Sequence, residues 1–344
     1  MWWETVRAQV WQRGVVSSVV EVLEPSTAPA EELAAWTALH SHGMNELMGS
    51  APRPQDLADQ LRTKRAGQNW CWSARSAPGE PIQGVAELRR QPYNPKVGLL
   101  RLYVAEPARR RGMGTRLREA AVERARALGM ERLRSHTLTG PEMEAFARSD
   151  GRPRTLIPFR VQEQQLDEET LEHCWHLAAR PARGYLVTHW EGTAPENLVA
   201  SFGQVAVYSI DAIEGARPLV ERAWAPQQVR EWEREVVQDG SQLVVCAALD
   251  RTSDQVVAAT ATTVGQSLVA RQYVTAVSPD HRRRGLATRV KANQTLRVHD
   301  LFPHVRRMAV AVDEGNTAML ELNRALRYEL AGGRYLVEED LTGR

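Results

Sequence analysis

Apolar residues recur with two periods along the first half of the chain, one typical of helices and one of strands. Leu33, Trp36 and Leu39 follow helical spacing in residues 29–47, and Leu117, Ala121 and later apolar residues form a second helical stripe that Gly129 ends. Short β-branched or alternating runs between turn residues predict strands. The predicted helices cover residues 29–47, 54–65, 113–128 and 141–151, and the predicted strands cover 17–23, 69–75, 82–90, 96–106, 130–138 and 154–162.

The second half repeats this order. Helices are predicted over 216–224, 225–240 and 316–330, and a further helix that follows the strand at 270–277 ends near Pro303. Strands are predicted over 241–250, 254–265, 270–277, 305–314 and 334–341. Residues 166–190 suggest a connecting helix that feeds a strand. Near the start, Trp2, Trp3 and Val6 suggest a short amphipathic helix packed on its own protein. We therefore expect an α/β protein of two domains, residues 1–175 and 176–344.

Composition narrows the class of protein. A length of 344 residues fits about two domains, and 43% hydrophobic with 25% charged residues is ordinary for a globular chain. The net charge of +2 argues against general binding to nucleic acid or to a membrane surface. No apolar run is long enough to span a bilayer, and the first residues lack the features of a secretory signal. Cys71, Cys174 and Cys246 are scattered without metal-like spacing, which predicts reduced thiols, a cytoplasmic location and no metal.

One basic, glycine-broken phrase occurs twice, as ARRRGMGTRLREAA at residues 108–121 and HRRRGLATRVKANQ at 281–294, at an offset of 173 positions. Each copy follows a predicted strand and opens a predicted helix. A helix N-terminus presents unpaired N–H groups and the positive end of the helix dipole, which favour phosphate. Glycine lets a phosphate approach the amides, and arginines can close on its oxygens. The candidate phosphate-binding residues are Arg109, Arg110, Arg111, Gly112, Met113 and Gly114, with Arg282, Arg283, Arg284, Gly285, Leu286 and Ala287.

Other interpretations of the phrase fit less well. A single arginine-rich helix start is often only a solvated face, but two copies in matched context favour a site. A nucleoside triphosphate loop requires Lys-Ser/Thr after the second glycine, whereas Thr115-Arg116 and Thr288-Arg289 follow here. Neither copy has the third glycine of a dinucleotide fold, and neither contains the aromatic residues of a basic RNA-binding patch.

The pattern Arg-x-x-Gly-x-Gly/Ala resembles the acyl-CoA signature of the Gcn5-related N-acetyltransferase (GNAT) superfamily. The resemblance covers nearly the whole chain as two tandem domains, a layout shared with mycothiol synthase, and it is closer in the second half, where TAVSPDHRRRGLATRVKA precedes NTAMLELNRAL. It implies two mixed sheets flanked by helices, each with two strands that splay around the pantetheine arm of CoA. Leu102, Tyr103 and Val104 would line one channel, and Thr275, Ala276 and Val277 the other.

The chain departs from the family at the expected catalytic positions. Many members carry a Glu on the fourth strand and a Tyr seven residues after an Asn on the last helix. Neither fourth strand here contains an acid. The residue seven positions after Asn316 is Asn323, and the corresponding position in the first half falls at about Ala147, so neither half has the Tyr. Asn316 is either an N-cap or, as the resemblance implies, also a CoA contact. Tyr328 is predicted to pack in the core. The remaining acid–base candidates are Asp313 and Glu314 near the second site, and Glu87 and His136 near the first.

These features predict an acyl-CoA-dependent N-acyltransferase that moves acetyl from acetyl-CoA to an amine of a small metabolite or peptide. The second half, which keeps Asn316, is expected to be the catalytic one, in a monomer or homodimer without nucleic-acid or membrane partners. A non-catalytic acyl-CoA-binding or scaffold protein with degenerate sites is the alternative, favoured by the missing Glu and Tyr. An aminoacyl-tRNA-dependent peptidyltransferase also uses tandem domains of this kind but lacks the CoA signature.

Overall fold

The computed structural model describes residues 18–49, 51–63, 69–91, 94–149, 154–213 and 224–342. Contacts divide the chain into two compact units. Unit 1 comprises Met1–Leu156 together with Leu336–Arg344, and unit 2 comprises Ile157–Tyr335. This division differs from the expected boundary at 175/176. The connecting helix belongs to unit 2, which begins at Ile157, and the last residues of the chain belong to unit 1.

Unit 1 is a mixed sheet with helices on both faces. Its strands are β1 (Val19–Leu23), β2 (Asn69–Arg75), β3 (Gly84–Gln91), β4 (Asn94–Val104) and β5 (Arg132–Leu138), and its helices are α1 (Ala30–Met48), α2 (Pro54–Thr63), α3 (Met113–Ala127) and α4 (Pro141–Ala147). Strands β1 to β4 are antiparallel, and β5 runs parallel to β4. Leu88 packs in the core with Leu117 of α3, while Val85 packs with Trp36 of α1. Since adjacent side chains of a strand alternate, α1 and α3 cover opposite faces.

Unit 2 follows the same plan with further elements. It contains most of β6 (Arg154–Gln165) and β12 (Glu329–Asp340), the strands β7 (Tyr185–Glu191), β8 (Gln242–Asp250), β9 (Val256–Val264), β10 (Val269–Val277) and β11 (Arg307–Asp313), and the helices α5 (Glu168–Ala179), α6 (Val199–Ile213), α7 (Pro226–Gln238), α8 (Leu286–Leu301) and α9 (Thr317–Ala325). The strand order is β12-β6-β11-β10-β9-β8-β7, with β11 parallel to β10. Helix α8 packs on β8, β9 and β10, so this unit too is α/β.

The last residues of the chain complete unit 1. The N–H of Leu341 donates to the carbonyl of Glu131 at 2.8 Å, and the Leu341 side chain is buried in the core beneath α3. Glu338 accepts hydrogen bonds from Arg132 and Arg134 at 3.2 and 3.0 Å. Strand β12 therefore contributes its final residues to the sheet of unit 1, beside β5.

Most predicted elements are present, with informative differences. The helix predicted over 316–330 ends at Ala325, because Arg327 adopts a left-handed backbone (φ 62°) and a strand begins at Glu329. Helix α6 (Val199–Ile213) was not predicted from the sequence. The helix predicted near Trp2, and the helix predicted over 216–224 except for Trp224, lie outside the described residues. Within the described part of the chain, no helix has the length and apolar character needed to cross a bilayer.

Candidate functional site

In each unit, two parallel strands separate part of the way along. The β4–β5 pairing runs from Val97–Arg132 to Leu100–Ser135, although the strands continue to Val104 and Leu138. The β10–β11 pairing ends at Arg271–Ala309, although β10 continues to Val277. The predicted channel residues follow these end points: Leu102, Tyr103 and Val104 on β4, and Thr275, Ala276 and Val277 on β10. Both units thus contain the opening between strands that the family resemblance implies.

The opening in unit 2 coincides with an irregularity in the sheet. The register between β10 and β9 shifts between Gln272 and Val274, immediately beyond the last β10–β11 pair. A bulge re-aims the side chains around it and is common beside active sites. In β4, by contrast, the pairing with β3 is regular from Arg90 to Gly84.

The two copies of the phrase fold alike. Gly112 (φ 77°) and Gly285 (φ 74°) precede α3 and α8 in the left-handed conformation that glycine adopts without strain. The first arginine of each phrase turns back to its strand: Nε of Arg109 donates to the Val104 carbonyl at 3.0 Å, and Nε of Arg282 to the Val277 carbonyl at 3.2 Å. Met113 and Gly114 then open α3, and Leu286 and Ala287 open α8. These matched contacts hold each helix start at the mouth of its strand opening.

The other arginines differ in what they contact. Arg110, Arg111 and Arg283 are exposed, and none of them forms an ion pair with another described residue. Arg284 donates to the Tyr185 hydroxyl at 2.7 Å and to the Asp280 carbonyl at 3.1 Å. Exposed guanidinium groups beside a helix N-terminus suit a diphosphate, so the residues present fit the phosphate end of CoA.

An aromatic side chain lies against the start of α3 in unit 1. A Cβ added to Gly114 would lie 3.2 and 3.3 Å from two ring atoms of Phe146, and 3.7 Å from Val104. The guanidinium of Arg118 lies over the same ring, 4.9 Å from its centroid, and donates to the Phe146 carbonyl at 3.0 Å. Phe146 therefore lies beside Gly114, a residue predicted to contact CoA.

Unit 2 instead has a buried polar chain beneath its strand opening. The Nζ of Lys291, on α8, donates to Oε1 of Gln272 at the bulge and to Oδ1 of Asn323 on α9, the latter at 2.6 Å. Asn323 in turn donates to Gln162 of β6 at 2.8 Å. Lys291 is 1% exposed, and its Nζ lies 4.7 Å from the centroid of the Tyr328 ring. A cationic side chain is thus enclosed by two amide oxygens and an aromatic face.

Burial sets the ionisation of this cluster. Loss of solvation lowers the pKa of Lys291 to about 7. The same effect raises the pKa of the Tyr328 hydroxyl and that of the Cys174 thiol, so both remain neutral near pH 7. Tyr328 is a buried core residue, as its sequence position predicted.

A second buried cluster lies on the α1 face of unit 1. The Glu87 carboxylate, 1% exposed, lies 3.3 Å from Nε2 of His40 and accepts from Asn69 at 2.7 Å and Arg101 at 3.2 Å. Nearby, the Tyr103 hydroxyl donates to Glu46 at 3.2 Å, and burial with that carboxylate raises the pKa of Tyr103. Glu87, an acid–base candidate, is therefore held between cationic and amide groups.

The acid–base candidates of unit 2 lie near the end of β11. Asp313 accepts from the Gly315 N–H at 2.7 Å, and Glu314 pairs with Arg160 at 2.7 Å on the surface. Asn316 caps α9 by accepting from the Met319 N–H at 3.1 Å. In unit 1, His136 lies on β5 just beyond the last β4–β5 pair. The catalytic and CoA-binding roles assigned to these residues stay predictions.

The sequence analysis missed two buried basic residues, one on α3 and one on α8. Arg118 and Lys291 occupy the same place in the two phrases, 173 positions apart, and each lies among apolar residues of its helix. The sequence did offer one signal for these residues, because a basic residue stands at the same position among the apolar residues of both helices. Their partners Phe146 and Asn323 lie on other helices, so no local pattern identified those contacts.

Comparisons with known proteins agree with this geometry. The model of the acetyltransferase (GNAT) family matches residues 34–147. This match lies on the first copy of the phrase, so it does not support the expectation that the second half is the closer relative. The second copy has Ala287 where the first has a glycine. No curated protein matches the chain.

Solved structures resemble the chain over nearly its full length. A tandem GNAT protein from the clavulanic acid biosynthesis pathway has a TM-score of 0.73 at 21% identity, covering 95% of this chain and 99% of that one. A GCN5-related N-acetyltransferase from Sphaerobacter thermophilus has a TM-score of 0.64 at 15% identity, covering 94% and 96%. A glucosamine N-acetyltransferase region of a fungal multi-domain β-N-acetylglucosaminidase has a TM-score of 0.60 at 14% identity, covering 94% and 38%. Residues 34–147 therefore form a domain of the acetyltransferase (GNAT) family, and the chain as a whole has the tandem GNAT fold.

Proposed function

We propose that this protein is an acyl-CoA-dependent N-acyltransferase that transfers acetyl from acetyl-CoA to an amine of a small metabolite or peptide, with the working site in unit 2. The observation that carries the proposal is the β10–β11 opening, which joins an arginine-flanked helix start at Gly285 to a buried polar chain at Gln272. In unit 1 the ring of Phe146 lies against the helix start at Gly114, where the diphosphate of CoA would bind. This contrast favours unit 2 for turnover.

Acetyl-CoA, when bound, supplies an acetyl group activated as a thioester. The amides at the start of α8, with Arg283, would hold its diphosphate, and the β10 backbone from Val277 to Thr275 would line its pantetheine arm. The protein's main contribution is then positioning of two reactants. Main-chain N–H groups along the open edge of β10 can polarise the thioester carbonyl. The attacking amine must be neutral, and water can carry its proton away.

Two solved neighbours support an amine of a small molecule as acceptor. One belongs to the clavulanic acid biosynthesis pathway, and another is a glucosamine N-acetyltransferase region. Both names describe those proteins and leave the acceptor of this one open. A panel of amino sugars, amino acids and short peptides is therefore the appropriate first screen.

Calorimetric titration of CoA into matched glycine variants tests the proposed site. Valine is strained at both positions, because Gly285 and Gly112 have positive φ angles of 74° and 77°. We expect Gly285→Val to weaken CoA binding at least tenfold, whereas Gly112→Val retains the affinity of the wild type. The reverse result would move the site to unit 1, and an absence of CoA binding by the wild type would refute the proposal.

A non-catalytic acyl-CoA-binding protein is the second candidate. It is favoured by the absence of an acid on either β4 or β10. The two functions differ in a single-turnover measurement, in which the protein is mixed with acetyl-CoA and the amine panel and free thiol is followed. CoA binding without thiol release for any amine would support the binding role.

A further inference from the structure

Lys291 is a buried basic residue in a position where a GNAT site needs an acid. The family resemblance assigns a Tyr to the position seven residues after Asn316, and this chain has Asn323 there. Asn323 cannot donate a proton to a thiolate, but its Oδ1 lies 2.6 Å from the Nζ of Lys291. The ammonium group therefore lies beside the place from which the missing hydroxyl would act.

We propose that Lys291 donates the proton to the departing thiolate of CoA, with Asn323 and Gln272 as positioning residues. This inference rests on the proposed function. It supplies a proton donor for the departing thiolate, a role for which the sequence analysis identified no residue.

The proposed position of Lys291 near the sulfur of CoA follows from the geometry of the strand opening. Gly285, at the proposed diphosphate site, precedes Lys291 by six residues, or about 9 Å along the helix axis. Gln272, the second partner of Nζ, directly follows the last β10–β11 pair. An arm that runs from the start of α8 along Val277 and Thr275 would end near Gln272, where the two strands meet and where Nζ donates its hydrogen bond.

The proton balance of the step is simple. The amine nitrogen forms a bond to the acetyl carbon and loses one proton to water, while the C–S bond breaks and its electrons remain on sulfur. The Lys291 ammonium gives a proton to that sulfur, which leaves neutral lysine and the CoA thiol. Lysine then regains a proton from water, so the cycle consumes no other reactant.

The groups that face Nζ allow this exchange. The amides of Gln272 on β10 and Asn323 on α9 accept from the ammonium, and Gln162 on β6 fixes Asn323. The titratable neighbours are Tyr328 and Cys174 of α5, both kept neutral by burial. No carboxylate of the described residues forms an ion pair with Lys291. With burial lowering its pKa to about 7, the lysine can both hold and release a proton near neutral pH.

The first test measures the ionisation of bound CoA rather than turnover. The ammonium favours the thiolate and the thiolate in turn favours the ammonium, so Lys291 and the CoA thiol should titrate as a coupled pair. Ultraviolet thiolate absorbance of CoA bound to the wild type should therefore develop at lower pH than for free CoA, by about 1 to 3 pH units. Lys291→Met, which keeps the length of the side chain, should remove this shift and change CoA affinity less than threefold. Arg118→Met is the matched control in unit 1 and should retain the shift.

The second test uses the rate. We expect Lys291→Met to lower kcat by about 10²-fold with little change in the KM for acetyl-CoA. The wild-type kcat should fall as pH rises through about 7, because the acid is lost, and Lys291→Met should lack this fall. Asn323→Asp retains the lysine but places a carboxylate beside it, which should move the fall to higher pH even if the Met variant does not fold.

The outcomes separate the two proposals. An unchanged thiolate shift in Lys291→Met, or a pH profile that Asn323→Asp leaves in place, overturns the role of Lys291 while leaving CoA-dependent acyl transfer intact. Absence of CoA binding by the wild type overturns both. If Lys291→Met loses both the shift in thiolate absorbance and the fall of kcat above about pH 7, the result supports the lysine as the acid.

Discussion

A charged lysine enclosed by neutral groups costs free energy of folding, and the cost depends on pH. The folded pKa of Lys291 is about 7, below the ordinary 10.5 of the unfolded chain. Below pH 7 Lys291 is protonated in both the folded and the unfolded state, so the full cost of burying its charge is present. Between pH 7 and 10.5 the unfolded state binds more protons than the folded state, so the free energy of unfolding rises with pH. Lys291→Met should therefore lose stability relative to the wild type over this window, by on the order of 5 kcal/mol. Urea unfolding at pH 6, 7, 9 and 10 measures this, with Arg118→Met as the control that should show no such trend.

The four acid–base candidates named from the sequence should matter much less to the rate than Lys291. Asp313 closes a turn and Glu314 pairs with Arg160, while Glu87 is fixed by His40 and Arg101. Single replacements Asp313→Asn, Glu314→Gln, Glu87→Gln and His136→Gln should each lower kcat/KM by less than the ~10²-fold expected for loss of a true general base. A larger loss in one variant, with CoA affinity unchanged by calorimetry, would identify that residue as the base.

At the scale of elements, the start of α9 combines a cap with a proposed contact. The Oδ1 of Asn316 accepts from the Met319 N–H, which leaves its amide N–H groups to donate to CoA. Asn316→Ser should keep the cap and the melting temperature but weaken CoA binding, whereas Asn316→Ala should also lose about 1 kcal/mol of stability. Equal CoA affinity in the wild type and the Ser variant would reduce Asn316 to a cap alone.

The same elements explain what the sequence could predict. The glycine phrases, their strands and their helices were predictable because Gly112 and Gly285 act locally, through backbone geometry and a helix start. The end of α9 was not, since the left-handed residue that stops it is Arg327 and not a glycine. The lysine site was not either, because Gln162, Gln272, Lys291 and Asn323 meet from four separate elements.

At the scale of the whole molecule, unit 1 requires the last residues of the chain. Leu341 is buried in its core, and Glu338 joins Arg132 and Arg134. A chain that ends at Tyr335 should therefore melt unit 1 at a lower temperature, while the polar chain around Lys291 in unit 2 is retained. Calorimetry should show this selective loss, and addition of a peptide of residues 336–344 should restore part of it. A truncated chain with the melting profile of the full one would contradict this account.

The place of residues 336–344 in unit 1 has a consequence for biosynthesis. The ribosome makes residues up to Leu156 first, but the segment that completes their sheet emerges after a further 180 or so residues, about 10 to 40 s later at ordinary elongation rates. During this interval the nascent unit has an unpaired β5 edge and an incomplete core, both of which invite aggregation or chaperone binding. A chain that terminates before residue 336 therefore cannot complete the sheet and core of unit 1.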